Sequence, residues 1–157
     1  MRKYMVLILS LVVFSMVTGC GASEEFASFQ ESVESFYTEV SEIENSIDQI
    51  DVQDEEAVTT LLICLEQMKV QFEMLAEMEV PVEFASVEEL TDDALEYITE
   101  AVRLYTEAFS GDSVNDGYVQ AAVENYESAM KRVEYIALLL QGEIPEEAVV
   151  MESEGNE

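Results

Sequence analysis

From Phe26 onward, apolar residues fall at positions 26, 29, 33, 36, 40, 43, 47 and 50, alternating steps of three and four over four heptads. That period gathers Phe, Val and Ile into one seam and predicts an amphipathic helix. Ser23 is its expected N-cap, Glu24 and Glu25 occupy the first turn where the helix dipole favours anions, and the end is expected near Asp48 to Asp51. A second helix is expected from Asp54, with Glu55 and Glu56 in its first turn. It carries Val58, Leu61, Leu65, Met68, Phe72 and Leu75 at the same steps and stops before Pro81, whose predecessor resists helical geometry. Ser86-Val87-Glu88-Glu89 fits a capping box, so a third helix starts there and runs through Leu90, Ala94, Tyr97, Ile98, Ala101 and Tyr105 to Phe109, with Gly111 as its stop. After the loop GDSVNDG, residues 111–117, a fourth helix uses Tyr118, Ala122, Tyr126, Ala129, Val133, Ile136 and Leu140 and ends at Gly142 and Pro145. Strand-like alternation of useful length is absent from the pattern. Four amphipathic helices on short connections predict an all-α fold, an antiparallel up-down-up-down four-helix bundle.

Ahead of these helices the pattern changes. Residues 4–17, YMVLILSLVVFSMV, are a 14-residue apolar run behind the basic start Met1-Arg2-Lys3. The run is shorter than the roughly 20 residues a spanning helix needs and reads as a signal peptide. At its end, Val17-Thr18-Gly19-Cys20 resembles the bacterial lipobox: an aliphatic residue, a small residue and Gly before a cysteine. That resemblance implies removal of residues 1–19 and a covalent diacylglyceryl group on the Cys20 thiol. Two acyl chains give stable anchoring where one is marginal. The competing readings are an ordinary secretory signal with an incidental cysteine, which would more often show an A-x-A-like site, and an uncleaved short anchor. Residues 20–22 are then the lipidated cysteine and a short tether, 23–142 the bundle, and 143–157 an acidic tail with little apolar pattern, expected to be disordered. The bundle topology puts the end of the fourth helix and this tail beside the anchor.

Charge narrows the partners. Arg2 and Lys3 lie in the leader, so the mature chain keeps four cations against 35 acidic residues, a net charge of −31. Such a field repels nucleic acid and anionic headgroups, attracts divalent metals, polyamines and basic peptides, and costs stability through self-repulsion. A nucleic-acid mimic would suit the charge, but the export signal points to another compartment.

The chain has no histidine, which removes the usual general base, the commonest zinc ligand and the Glu-x-x-His pairs of di-iron bundles. Cys64, one helical step from Leu61 and Met68, reads as a small buried core residue. Lys69 and Lys131 read as surface partners of Glu73 and Glu127 at i,i+4. The 112–117 loop fails as an EF-hand, because Val114 stands at the third ligand position and Val123 where the bidentate Glu belongs; Asp112, Ser113 or Asn115 is expected instead to cap the fourth helix. Two candidate sites remain. Glu89, Asp92, Asp93, Glu96 and Glu100 form an acidic stripe, relieved only by Arg103, that would welcome a cation such as Ca²⁺ or Mg²⁺; the alternative is a solvated face. Tyr97, Tyr105, Tyr126 and Tyr135 could line a groove between the third and fourth helices, with acidic residues at its rim, suited to a cationic or amphipathic peptide; the alternative is that their rings complete the core.

Lipobox, short tether and acidic helical domain together resemble the small helical lipoproteins of Firmicutes, a likeness that implies a membrane-anchored accessory protein at the extracytoplasmic face and assigns no activity. The expected function is a non-catalytic interaction module for an envelope protein or cationic ligand. A low-specificity divalent-cation binder is the second reading. An enzyme is the third and is disfavoured, since no nucleophile, base and orienting group assemble from the residues present.

Overall fold

The three-and-four spacing becomes four helices in the computed structural model, which describes residues 24–143 apart from Asp112: α1 (Glu24–Asp48), α2 (Ala57–Ala76), α3 (Ala85–Ala108) and α4 (Asp116–Leu140). The leader, Cys20 with its tether, the Ser23 cap and the tail beyond Glu143 lie outside the described residues. The fold is an all-α four-helix bundle with antiparallel neighbours. Along α1 and α4, Tyr37 donates its hydroxyl to the Val133 carbonyl at 2.7 Å and Tyr126 donates to Glu44 at 2.6 Å. Position advances along one helix as it retreats along the other. At the opposite flank the Phe26 ring stacks on Phe84, centroids 5.0 Å apart and planes 11° from parallel, so the start of α1 meets the junction of α2 and α3.

The seam residues expected of α1 form its contribution to the core: Phe29, Val33, Phe36 and Val40 are buried. Met68, Phe72 and Leu75 of α2, Val87, Ala94 and Ile98 of α3, and Ala129, Val133 and Ile136 of α4 complete the main core cluster, and Leu65 of α2 is buried as well. Helices α3 and α4 approach each other most closely, because Ala94, Ala101 and Ala108 on one and Ala122 and Ala129 on the other recur every seven residues and are wholly buried. With only a methyl group at each crossing, the backbones can come together. Between α1 and α4 the backbones stand further apart, and the larger rings of Tyr37 and Tyr126 span the gap.

Helix ends depart from expectation in instructive ways. Helix α2 begins at Ala57 rather than Asp54, because Asp51 and Asp54 spend their carboxylates on successive turns, accepting from the Gln53 and Glu56 amides at 2.9 Å each. The capping box at Ser86 does not form. Pro81 is extended, a 3₁₀ turn over Val82–Phe84 follows, and α3 already starts at Ala85 with no side-chain cap, its entry held by Phe84 against Phe26. Helix α3 ends at Ala108, ahead of Gly111, and the Asn115 amide closes the loop onto the Ala108 carbonyl at 3.0 Å. Asn115 then caps α4, accepting from the Gly117 and Tyr118 amides. Gly142 ends α4 at φ 77°, with its own amide on Leu139 and that of Glu143 on Leu138, the double bond of a Schellman cap. Val58, expected in the α2 seam, is exposed, and Lys69 pairs with Glu66 at 3.1 Å instead of Glu73.

Candidate functional site

Helix α3 buries a narrow line of small and branched residues against its neighbours, which turns its other face outward. At 100° per residue, Glu89, Asp92, Asp93, Glu96 and Glu100 fall within about 100° of one another on that outer face. Four of them, Asp92, Asp93, Glu96 and Glu100, line a shallow depression of about 530 Å³, together with Leu95, Tyr97 and Thr99 of α3 and Asn125 of α4. Glu89 lies outside it.

The chain's own cations occupy part of this face. Arg132 reaches across from α4, its Nε 3.2 Å from Asp93 Oδ2 and its guanidinium carbon 5.2 Å from the centre of the Tyr97 ring. Its side chain is only 11% exposed, so the pairing is the better shielded of the ion pairs here. Glu100 accepts two bonds of 2.7 Å from Arg103, which hold its carboxyl below the ordinary range and lift Arg103 in turn; both groups stand in water, so the pair is screened. Glu89, Asp92 and Glu96 have no cation partner among the described residues. Among those residues no group of three or more acidic or thiol side chains is placed to hold a metal ion: the stripe lies along a helix surface instead of converging.

The four tyrosines do not share one groove. Tyr126 and Tyr135 are nine residues apart, half a turn out of phase on a helix. Tyr126 faces α1 and Glu44, and Tyr105 stacks on Phe109 at 6.5 Å. Tyr135 is buried with the Lys131 ammonium 5.6 Å from its ring. Tyr97 alone joins the acidic depression. Burial is the main force pushing the Tyr126 phenol far above its usual value, with the Glu44 charge and hydrogen bond adding to it; burial and the Glu134 charge do the same to Tyr37. An unfolded phenol ionises near pH 10, so the folded state keeps protons there that the unfolded state has released. Stability is therefore intact below pH 10 and falls above it, by about 1.4 kcal/mol per pH unit for each such tyrosine. In urea unfolding followed from pH 7 to 11.5, Tyr126→Phe is expected to cost about 1.5 kcal/mol at neutral pH, for a lost bond to a charged acceptor. It is also expected to flatten the alkaline slope by one tyrosine's share.

The residue that sequence reasoning passed over is Arg132. Its sequence signal is slight: a cation in a chain with very few, four residues after Ser128 on a face that periodicity marks as neither core nor fully outward. Only the placement of α4 against α3 brings it between Asp93 and Tyr97. Cys64 is a buried free thiol, as its spacing suggests. No described helix is long and apolar enough to cross a membrane. Comparison with protein-family models, with curated proteins and with solved structures finds no match for this chain.

Proposed function

We propose that this protein is a cell-envelope lipoprotein, held at the extracytoplasmic face of the membrane by a diacylglyceryl group on Cys20, and that its acidic bundle is a non-catalytic interaction module for a partner presenting cationic side chains. The observation that carries the binding half of this reading is the seat of Arg132. The chain's own guanidinium lies between the Asp93 carboxylate and the Tyr97 ring. Beside that seat, Asp92 and Glu96 offer carboxylates without a partner among the described residues, in a depression open to solvent. Carboxylate and aromatic ring together recognise ammonium and guanidinium groups by charge and by cation–π attraction. The strong negative field of the whole chain would speed encounter with such a partner. Support for the anchor comes from the lipobox resemblance at Val17–Cys20.

Two measurements test the two halves. Intact-mass analysis of membrane-extracted protein is expected to find the leader gone and Cys20 acylated, and Cys20→Ala is expected to leave the leader uncleaved. For binding, the fragment from Gly21 onward is titrated with an acetylated, amidated decapeptide of alternating Lys, Arg and Leu by calorimetry. Asp92→Asn with Glu96→Gln is expected to weaken it about tenfold, roughly 1.4 kcal/mol. Glu34→Gln with Glu39→Gln, which removes the same charge from exposed positions on α1, is expected to change it no more than about twofold. Equal effects from the two pairs would show diffuse attraction and reject the depression as the site.

A further inference from the structure

Helix α2 has a second face that its core-facing seam does not use. Thr60, Ile63, Gln67, Val70 and Met74 are all exposed and follow one another in steps of three and four, the spacing of a coiled-coil seam on the side away from the bundle core. Ile63, Val70 and Met74 are 53%, 45% and 54% exposed. Apolar residues on both sides of a helix are the pattern of one that is covered on both sides. The charge distribution says by what. Over its 20 residues α2 carries only Glu66, Lys69 and Glu73, and the first two pair with each other, whereas α1 carries eight carboxylates and no cation. Two copies of a chain with this net charge repel one another at every acidic face. The outer seam of α2 is the near-neutral strip where they can meet.

We infer that two copies of this protein associate side by side through the outer faces of α2, packed parallel and in register. Parallel packing sets Ile63, Val70 and Met74 each against its own counterpart and lets the two Gln67 amides bond to each other, the kind of polar seam position that fixes register. It places Glu66 opposite Gln71, and Glu73 opposite Met78, of the second copy. Antiparallel packing would instead set Glu66 against Glu73 twice. A parallel pair also keeps both bundle ends that start α1 on the same side, as two copies anchored in one membrane require; that geometric point, unlike the seam itself, rests on the lipid anchor proposed above. The seam spans about 21 Å of helix, so the contact is smaller than the roughly 1,200 Å² of a stable dimer. Confinement to a membrane raises the effective concentration and makes up part of the difference. Because the opposing charge is screened by salt while the apolar contact is not, pairing strengthens as salt rises.

The test uses the full-length protein in its own membranes, with Cys64→Ala as background, so that with Cys20 acylated the introduced cysteine is the only free thiol. After mild copper-phenanthroline oxidation, Gln67→Cys and Val70→Cys are expected to give at least fivefold more disulfide-linked dimer than Ser28→Cys on α1 or Thr99→Cys on α3. Adding Met74→Glu, at a half-exposed position, is expected to abolish that dimer while leaving the helical circular dichroism intact. Equal cross-linking at all four positions would overturn the inference. So would a dimer that appears only when Ile63→Cys and Met74→Cys proteins are made together, which would mean antiparallel pairing. A fluorophore on Val70→Cys quenched by brominated lipid, with no dimer, would place the face on the bilayer and overturn it as well. Recovery of the protein outside the membrane fraction would reject the anchor alone, and cross-linking of that soluble protein with Cys20→Ala added, so that no unacylated thiol remains at position 20, would still decide the seam.

Discussion

Phe72→Ala is expected to lower the unfolding free energy by about 4 kcal/mol, in the range found for removing a large buried ring. Phe72 is completely buried, and its ring meets Phe36 edge to face with centroids 5.2 Å apart and planes at 84°. It lies in the same cluster as Val33 of α1, Met68 of α2 and Ile98 of α3, so truncation opens a void that no single helix can close by shifting. A domain of this size is stable by about 5–15 kcal/mol, and the loss would bring its melting temperature down by roughly 15 °C. Phe36→Ala should be costly for the same reason, and the double variant should lose less than the sum, because the two rings touch. Phe72→Leu, which keeps most of the volume, should cost under about 1.5 kcal/mol. Urea unfolding of these variants beside Val82→Ala, at a position 90% exposed and expected to be near neutral, provides the comparison. A loss below about 1.5 kcal/mol for Phe72→Ala would mean that the core closes over the void and is packed less tightly than its burial implies.

The second large effect is electrostatic. Within α3 the pairs Glu88–Asp92, Glu89–Asp92, Glu89–Asp93, Asp92–Glu96, Asp93–Glu96 and Glu96–Glu100 all set like charges three or four residues apart. Each costs a few tenths of a kcal/mol, so α3 alone carries about 2 kcal/mol of repulsion that salt can screen. Between 10 mM and 500 mM sodium chloride the melting temperature of the fragment from Gly21 onward is expected to rise by roughly 8 °C. Calcium or magnesium chloride at matched ionic strength is expected to give an equal rise, since among the described residues no cluster of carboxylates converges to hold an ion. A larger rise that saturates at micromolar to low millimolar divalent ion would mean a specific site after all, and would favour the cation-binding reading over the protein-partner one. Mutation of Glu89, Asp92 and Glu96, the three members of the stripe without a cation partner among the described residues, would then locate it.

The periodicity of apolar residues made most of the fold legible. Phe29, Val33, Phe36 and Val40 occupy the buried seam that their spacing announces, and the same holds for Leu65, Met68, Phe72 and Leu75. Burial of a stripe repeating every 3.6 residues is a local demand that any bundle must meet, so it can be read without knowing the neighbours. Helix ends were less legible. At Asp54 and Ser86 the local capping signals were present, yet the chain used the first for a turn and passed over the second, since turn geometry at Asp51 and the Phe84–Phe26 stack acted on the same few residues. Capping contributes about 1 kcal/mol, and a stacked ring pair competes with it on equal terms.

The candidate site divides in the same way. The acidic stripe of α3 is a property of spacing on one helix, and four of its five members do line one depression. The tyrosine groove required α3 and α4 to present their rings to each other, and the half-turn between Tyr126 and Tyr135 sends those two to different neighbours. What the sequence by itself determined, then, is each helix, its buried stripe and the charge on its outer face, because those follow from residues within one or two turns of each other. Which side chain crosses to which helix was decided only by the tertiary structure: Arg132 to Asp93 and Tyr97, Tyr37 to the Val133 carbonyl, Tyr126 to Glu44. The alanines that draw α3 and α4 together, and the bulkier rings that hold α1 and α4 apart, set those distances, and no local pattern carries them.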